Sequence, residues 1–322
     1  MRTLARYGLA ALAALALAGA SFAQGYPTKP VRLIVPFPPG GGTDNLGRLV
    51  AQKLGEALGQ QVTVENRPGA GTIIGTEAAA KAPPDGYTLL MAQTATGINP
   101  SIYPKLPYDT LRDFVPVVLV ATAPTLLVVN PQVPAKNLQE LLALAHAKPG
   151  TLNFPSGGNG TSPHMAGEFF KSLTGAKLVH VPYKGGGPAI TDLLGGQVQL
   201  MFDTMPSIMP HVKAGKLRPI ALAAPARSPE LPEVPTFAES GLAAFEADAW
   251  YGIFAPAGTP REIVDRINAE VNKILSAPDV RERMKGLGAD PVGKSPEFFG
   301  EFVRAEIAKW AKVVKEAGIK LE

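Results

Sequence analysis

A strand, a glycine-rich loop and a helix follow one another near the start of the chain. Residues 31–37 (VRLIVPF) predict a buried strand, and residues 38–42 (PPGGG) predict a tight loop. Apolar residues then recur at helical spacing, at Leu46, Leu49, Val50, Leu54 and Leu58. Because strands that alternate with helices build mainly parallel sheets, this segment indicates an α/β fold.

The same alternation continues, stops and then starts again. Further strands are predicted at 61–66 and 87–92, and a second series follows with a helix at 137–147, a strand at 152–154, a helix at 163–173 and strands at 178–181, 200–203 and 219–223. Apolar runs at 115–120 and 126–129, separated by Ala123 and Pro124, predict a crossover between domains. Residues 252–254 predict the return.

Chain length agrees with two domains, because about 300 residues remain after the N-terminal segment and one core rarely grows that large. We expect a first domain at 24–122 plus 247–322 and a second domain at 123–246. Each is expected to be a mainly parallel sheet flanked by helices. A Thr259-Pro260-Arg261-Glu262 capping box predicts a helix start in the returning segment, and Ser295-Pro296 predicts the start of the last helix.

The first 23 residues have the pattern of a secretory signal peptide. Arg2 and Arg6 precede an apolar stretch at 9–18, and Ser21-Phe22-Ala23 provides small residues for cleavage. An uncleaved membrane anchor is the rival interpretation, but the stretch is shorter than the roughly 20 residues that span a bilayer. We therefore expect an exported, periplasmic protein whose signal peptide is removed.

Composition excludes several classes of function. Loss of Arg2 and Arg6 lowers the formal net charge from +4 to +2, and no basic run tracks a phosphate backbone, so nucleic acid is not an expected partner. With no cysteine, the chain has no disulfide and no thiolate ligand. His146, His164, His180 and His211 have no metal-binding spacing, and no nucleotide-binding motif is present, so neither a metal nor a cofactor is expected.

Two glycine triplets are candidate anion sites. Gly40, Gly41 and Gly42, followed by Thr43 and Asp44, lie where a strand leads into a helix, and residues 185–187 repeat the arrangement. Backbone N–H groups and the positive end of a helix dipole attract anions there. The alternative is that these glycines only permit tight turns. Asp44 is then a helix cap.

A third loop, residues 154–164, is rich in hydroxyl and amide groups. It offers neutral hydrogen-bond donors to a carboxylate, although Ser162 before Pro163 also fits a helix cap. Arg67 could pair with a ligand carboxylate or form a structural ion pair with Glu65. A catalytic triad of Ser156, His164 and Asp203 has no supporting motif, so no catalytic residue is predicted.

The chain contains, in order, the motifs VPFPPGGGTD at 35–44, ENRPGAG at 65–71, PDGYTLL at 84–90, VPYKG at 181–185, PEVPT at 232–236 and APAGTP at 255–260. Together these motifs resemble the Bug family of periplasmic solute-binding proteins, the receptors of tripartite tricarboxylate transporters. The resemblance implies a two-domain flytrap that closes on amino acids, di- and tricarboxylates or aromatic acids. It also implies a monomer that delivers its ligand to membrane permease subunits.

The family's ligand loops carry over to named residues of this chain. From the first domain the resemblance implies Phe37, Gly40, Gly41, Gly42, Thr43, Asp44, Ala70, Gly71, Thr72, Thr94 and Thr96. From the second it implies Ser156, Gly158, Asn159, Thr161, Ser162, Tyr183 and Asp203.

Two of these positions leave the ligand open. Thr72 stands where glycine is common in the family, so it could narrow the pocket or add a donor. Asp203 could accept from a ligand amine or cap the following turn. An enzyme acting on small carboxylates and a sensor subunit are the alternative functions.

Overall fold

The computed structural model describes residues 25–316 and 318–319. The predicted signal peptide at 1–23 lies outside these residues. Of the helices in the described part of the chain, none is both long and apolar enough to cross a membrane.

The N-terminal part of the first domain alternates strands and helices as predicted. Its elements are β1 (Val31–Val35), α1 (Gly42–Leu58), β2 (Val62–Asn66), a 3-10 turn (Ala70–Thr72), α2 (Ile73–Ala80), β3 (Thr88–Gln93) and α3 (Ala95–Ile102). β1 lies between β2 and β3 and is parallel to both. The three predicted strands are confirmed, with ends that differ by one or two residues.

The second domain begins in the long strand β4 (Phe114–Val129). It continues through α4 (Leu138–Ala147), β5 (Leu152–Ser156), α5 (Ser162–Thr174), β6 (Leu178–Pro182), α6 (Gly186–Leu194), β7 (Leu200–Thr204), α7 (Met205–Lys213) and β8 (Arg218–Ala223). β5 and β6 are parallel, whereas β7 and β8 both pair with β4 in the antiparallel direction. The backbone N–H of Gln199 donates to the oxygen of Asn153 at 3.1 Å, which joins the two groups of strands.

The chain then returns to the first domain. The returning elements are β9 (Asp248–Pro256), α8 (Arg261–Ser276), α9 (Pro278–Gly286), β10 (Asp290–Gly293) and α10 (Pro296–Glu316). β9 inserts between β3 and β4, antiparallel to both. The predicted capping box is wrong: α8 has Pro260 as its N-cap, and the Thr259 hydroxyl instead donates to the oxygen of Pro256 at 2.8 Å.

β4 connects the two sheets. Its residues from Phe114 to Pro124 pair with β9, and those from Thr125 to Val129 pair with β7 and β8. The two predicted apolar runs are therefore one continuous strand. The predicted α/β two-domain class is confirmed, with parallel strands in the outer part of each domain and antiparallel pairing along the crossovers. The change of partner near Pro124 supports the proposed boundary at 122/123, which stays a prediction.

Side chains of β1 alternate between the two faces of the first sheet. Leu33 and Val35 pack against α1 and α8 on one face, whereas Ile34 packs with Phe254 and Phe299 on the other. Period-two alternation thus buries both faces under helices. The second domain has its own core, in which the rings of Phe170, Phe202, Phe237 and Phe245 contact one another.

A smaller apolar cluster joins the domains. Met165 of α5 is fully buried against Ile98 of α3 and Trp310 of α10. Since Met165 belongs to the second domain and the other two to the first, this contact buries apolar surface only while the domains are together. The structure therefore represents the closed arrangement.

Candidate functional site

Four helices begin at one cleft between the domains. α1 comes from the first domain, and α5, α6 and α7 come from the second. The space in this cleft that water-sized atoms can enter is small, about 40 Å³. It is lined by Phe37, Pro38, Gly41, Gly42, Thr43, Gln93, Gly157, Thr161, Ser162, Pro163, Gly186, Asp203, Thr204, Ser207 and Tyr251.

The N-termini of these four helices lack side-chain caps. Gly41 and Gly185 have no side chain to offer, the Thr161 hydroxyl donates back to the oxygen of Gly158 at 2.7 Å, and the Thr204 hydroxyl accepts from Tyr251 at 2.8 Å. The first N–H groups of a helix have no intrahelical acceptor and carry partial positive charge. Their convergence on the cleft favours an anionic ligand.

Positive side chains do not contribute to this attraction. Among the described residues that line the cleft, none is Lys, Arg or His. The remaining polar groups are amides and hydroxyls, on Gln93, Thr43, Ser162 and Ser207 among others. An anion bound here would therefore be held by neutral donors and helix dipoles rather than by an ion pair.

Asp203 is the one carboxylate among the described lining residues. Burial raises its pKa to about 6, although hydrogen bonds from Ser207 Oγ at 2.8 Å and the Thr204 N–H at 2.7 Å favour its ionised form. The cleft thus contains an acid that titrates close to neutral pH. These two bonds tie Asp203 to the start of α7, although this helix has no side-chain cap.

Gln93 bridges the domains beside the cleft. Its Nε2 donates to Ser162 Oγ at 2.6 Å, and its Oε1 accepts from the Ala95 N–H at 3.2 Å. The second bond fixes the orientation of the amide, so Nε2 must point at Ser162. The expected capping role of Ser162 is wrong, because α5 has Thr161 at its N-cap and the serine hydroxyl accepts from Gln93.

Glycines allow the closest approach of the two domains. A methyl group added at Gly185 would lie 2.1 Å from the Pro38 ring, and one added at Gly71 would lie 2.1 Å from the oxygen of Asn159. At Gly42 the added methyl would lie 3.1 Å from the hydroxyl oxygens of Thr204 and Tyr251. Gly185 and Gly71 have no room for a side chain in the closed arrangement, whereas at Gly42 the neighbouring atoms would have to move by a few tenths of an ångström.

The structure brings seven of the predicted ligand residues to the lining of the cleft. They are Phe37, Gly41, Gly42, Thr43, Thr161, Ser162 and Asp203. Their contact with a ligand stays a prediction.

Asp44 lies next to the cleft but not in its lining. Its carboxylate accepts from the Gly40 N–H at 3.0 Å, from Arg48 Nε at 2.9 Å and from Asn66 Nδ2 at 2.8 Å. Burial opposes ionisation, but these bonds together lower the pKa of Asp44. The prediction that Asp44 caps α1 is wrong, because its bond runs backward to the loop.

The 3-10 turn that contains Ala70, Gly71 and Thr72 contacts the second domain. All three have positive φ, at 46°, 59° and 81°, which is unusual for a β-branched residue such as Thr72. The Thr72 hydroxyl accepts from Asn99 Nδ2 at 3.3 Å. Thr72 is therefore held by the first domain and does not line the cleft.

Ser156 lies under the polar loop rather than in the cleft. Its Oγ is 2.7 Å from His180 Nε2, and it also bonds both the N–H and the oxygen of Gly158. Burial, followed by the neighbouring His164 and Lys171, lowers the pKa of His180 to about 3. The serine thus pairs with a neutral histidine, and its partner differs from the His164 of the rejected triad.

The remaining predicted residues have bonds outside the lining. Thr94 Oγ1 accepts from the Trp250 N–H at 3.0 Å, and the Thr96 oxygen accepts from Thr110 at 3.0 Å. Tyr183 donates its hydroxyl to Asp192 at 2.6 Å.

Asn159 and Arg67 also have partners within the protein. The Asn159 oxygen accepts from Tyr103 across the domains at 3.1 Å. Arg67 forms the expected structural ion pair with Glu65.

Sequence reasoning missed eight lining residues, namely Pro38, Gln93, Gly157, Pro163, Gly186, Thr204, Ser207 and Tyr251. Gly186 and Gly157 lay inside loops already singled out. Gln93 and Thr204 are the last residues of β3 and β7, and Ser207 follows β7, at the strand ends where α/β proteins bind ligands. Tyr251 had no local signal, because it lies within a crossover strand.

The fold and cleft define a two-domain solute-binding receptor. The chain belongs to the TctC family, whose description is tripartite tricarboxylate transporter family receptor, and the family model matches residues 46–319. Its members are periplasmic solute-binding receptors rather than enzymes.

Named relatives agree with this placement. The chain is 41% identical to Protein BugT of Bordetella pertussis over 313 residues, which cover 97% of this chain and 96% of BugT. The sequence-based identification with the Bug family is therefore confirmed.

Solved structures also agree. A periplasmic transporter matches with a TM-score of 0.91 at 43% identity, over 92% of this chain and 100% of that one. An R. palustris protein with adipate matches with a TM-score of 0.90 at 38% identity, over 92% and 99%. A Rhodopseudomonas palustris protein with bound malate matches with a TM-score of 0.86 at 36% identity, over 90% and 100%.

Proposed function

We propose that this protein is exported, loses residues 1–23, and captures a small organic carboxylate in the periplasm between its two domains. It then presents the closed, loaded form to the permease subunits of a tripartite tricarboxylate transporter. The observation that carries this proposal is the convergence of four uncapped helix N-termini on a cleft without cationic side chains. Adipate and malate in two related structures support the same ligand class.

Neutral donors suit a receptor that must release its ligand. A buried ion pair is costly to break, whereas N–H groups and hydroxyls can exchange a carboxylate for water. Capture proceeds because a ligand that contacts both domains binds the closed state more tightly and shifts the population toward it. Phe37, Pro38 and Pro163 provide the apolar surface that would cover the carbon chain.

A thermal-shift screen tests the ligand class. A ligand that binds only the folded protein raises its melting temperature by mass action. We expect a rise with at least one acid from a panel of adipate, malate, aspartate, glutamate and benzoate, and none with the corresponding amides. Failure of every acid, with calorimetry at millimolar concentration as the check, would contradict the proposal.

Two further measurements test closure and delivery. At saturating ligand, small-angle scattering should give a larger radius for a Met165→Asp variant, which disrupts the apolar contact between the domains, than for the unmodified protein. Uptake of the identified acid by membrane vesicles carrying the cognate permease should require the receptor. Equal uptake without receptor would contradict delivery while leaving capture intact.

A further inference from the structure

The acid in the cleft has no cationic partner. Asp203 Oδ1 accepts from the Thr204 N–H and Oδ2 accepts from Ser207 Oγ, and both donors are neutral. Asp203 is only 5% exposed. Because a buried carboxylate without a counter-charge is costly, this group is poised to gain a proton.

The surroundings of Asp203 add no compensating charge. The elements around it present mostly neutral groups to the cleft: Gly41, Gly42 and Thr43 from α1, Gln93 from β3, Thr161, Ser162 and Pro163 around the start of α5, Gly186 from α6, and Ser207 from α7. Tyr251 of β9 is the other ionisable lining residue, and burial raises its pKa, so it stays protonated.

Charged residues on the same elements face elsewhere. Asp44 of α1 bonds to Arg48 and Asn66. His164 of α5 accepts from the Gly160 N–H, and Lys213 at the far end of α7 bonds to Glu230. The field at Asp203 is therefore set by helix N-termini and by whatever anion enters the cleft.

A bound carboxylate would share this small space with Asp203. A methyl group added at Gly186, on the lining, would lie 4.0 Å from Asp203 Oδ2 and 3.9 Å from Ser207 Oγ, so Oδ2 faces the N-terminus of α6. When two carboxylates occupy one site without a cation between them, one of them binds a proton.

Resting on the proposed function, we propose that Asp203 takes up a proton from solvent when the cleft captures a carboxylate, so that capture of the acid is coupled to one proton. Protonated Asp203 can then donate a hydrogen bond to the bound carboxylate instead of repelling it. An acid with an ammonium group would instead pair with the ionised Asp203 and need no proton, so proton uptake is expected only with acids that have no ammonium group.

The coupling has a defined direction with pH. Burial in the closed cleft raises the pKa of Asp203 to about 6, and a bound carboxylate raises it further. Below about pH 6, Asp203 is protonated before binding and no uptake occurs. Above it, each increase of one pH unit weakens binding up to about tenfold, until the pKa of the complex is passed.

Calorimetry of the full-length mature protein measures this coupling directly. The probe is the acid of the thermal-shift panel that raises the melting temperature most. Titration at pH 7.5 in buffers of different ionisation enthalpy gives the number of protons bound. We expect about one proton per ligand. We also expect about tenfold weaker binding at pH 8 than at pH 7.

Two variants and a control sharpen the result. Asp203→Asn should abolish proton uptake and flatten the pH dependence, so that it binds more tightly than the unmodified protein at pH 8. Ser207→Ala removes a bond to the ionised form, so the pH above which binding weakens should move upward. Asp265→Asn, an exposed acid on α8, should leave proton uptake unchanged.

The outcomes separate this inference from the proposed function. Tight binding of an acid without proton uptake at pH 7.5 overturns the inference and leaves the receptor function standing. A strong preference for aspartate or glutamate, with loss of binding in Asp203→Asn, also overturns it, since Asp203 would then pair with the ligand ammonium. If no acid binds, the proposed function fails and the inference fails with it.

Discussion

Residues 40–42 and residues 185–187 have the same glycine triplet, and each follows a strand and precedes a helix. In the first triplet, Gly42 contacts the opposite domain while Gly41 has no atom within 4 Å of an added methyl. In the second, Gly185 contacts Pro38 while Gly186 lies open toward Asp203. Each triplet therefore contains one glycine that permits contact between the domains and one that faces the cleft.

The two faces of the cleft differ in charge. The first-domain face offers the Gln93 amide and the start of α1, whereas the second-domain face adds Asp203 and three further helix N-termini. The second domain therefore contributes three of the four helix N-termini together with Asp203, the one carboxylate among the described lining residues. The first domain contributes the fourth N-terminus and neutral side chains. The predictions below test this division, from the largest expected effect to the smallest.

Gly185→Ala should have the largest effect on closure. The new methyl would overlap the Pro38 ring, and φ of 132° is itself unfavourable for alanine. We expect the closed state to lose at least about 3 kcal/mol, which is a loss of affinity of more than a hundredfold. Calorimetry measures the affinity, and scattering with ligand measures closure. Adding Pro38→Ala to Gly185→Ala removes the overlapping ring, and a double variant that binds no more tightly than Gly185→Ala would contradict the contact argument.

Asp203→Asn should stabilise the fold at neutral pH. Burial raises the pKa of Asp203 in the folded protein to about 6 from its usual value of 3.8, so folding favours the protonated form. Native stability therefore falls as pH rises between these values, and the asparagine variant escapes this loss. We expect its advantage in unfolding free energy to grow by about 2–3 kcal/mol from pH 3.5 to pH 7. Urea titrations across this pH range measure the difference in unfolding free energy. A difference that stays constant with pH would show that the pKa of Asp203 is not raised.

The Gln93–Ser162 bond should stabilise closure from the first-domain side. Ser162→Ala leaves Gln93 Nε2 without an acceptor in the closed state. We expect about 1–2 kcal/mol weaker closure, which is about a five- to thirtyfold loss of affinity. Gln93→Leu and the double variant complete a thermodynamic cycle, and additive effects would show that the two side chains are not coupled.

Gly42→Ala should have the smallest of these effects. Contacts of 3.1 Å require Thr204 and Tyr251 to move by only a few tenths of an ångström, and the helical backbone accepts alanine. We expect a loss of about 1 kcal/mol in closure, equivalent to roughly fivefold weaker binding. The neighbouring Gly41→Ala, whose methyl meets no protein atom, should leave the scattering radius of the ligand-free protein unchanged.

Local patterns predicted much of the fold. Period-two and helical spacing identified β1, β2, β3 and most helices, because burial of one face imposes these periods on any sequence. The same patterns could not show that β4 is continuous through Pro124, since a proline on a crossover strand resembles a break. They also placed helix caps at Asp44, Ser162 and Thr259. Ser162 instead bonds across the domains to Gln93, whereas Asp44 and Thr259 bond to backbone groups of the preceding loops.

The sequence by itself determined the two-domain α/β class, the receptor family, and the glycine and hydroxyl loops that lead into helices. Only the tertiary structure decided which of these loops line the cleft, since that depends on how the domains meet. It moved Thr72, Ser156 and Tyr183 out of the lining and brought in Gln93 and Tyr251. It also decided that Asp203 is buried beside neutral donors, because burial and the lack of a cationic partner depend on residues far away in the chain.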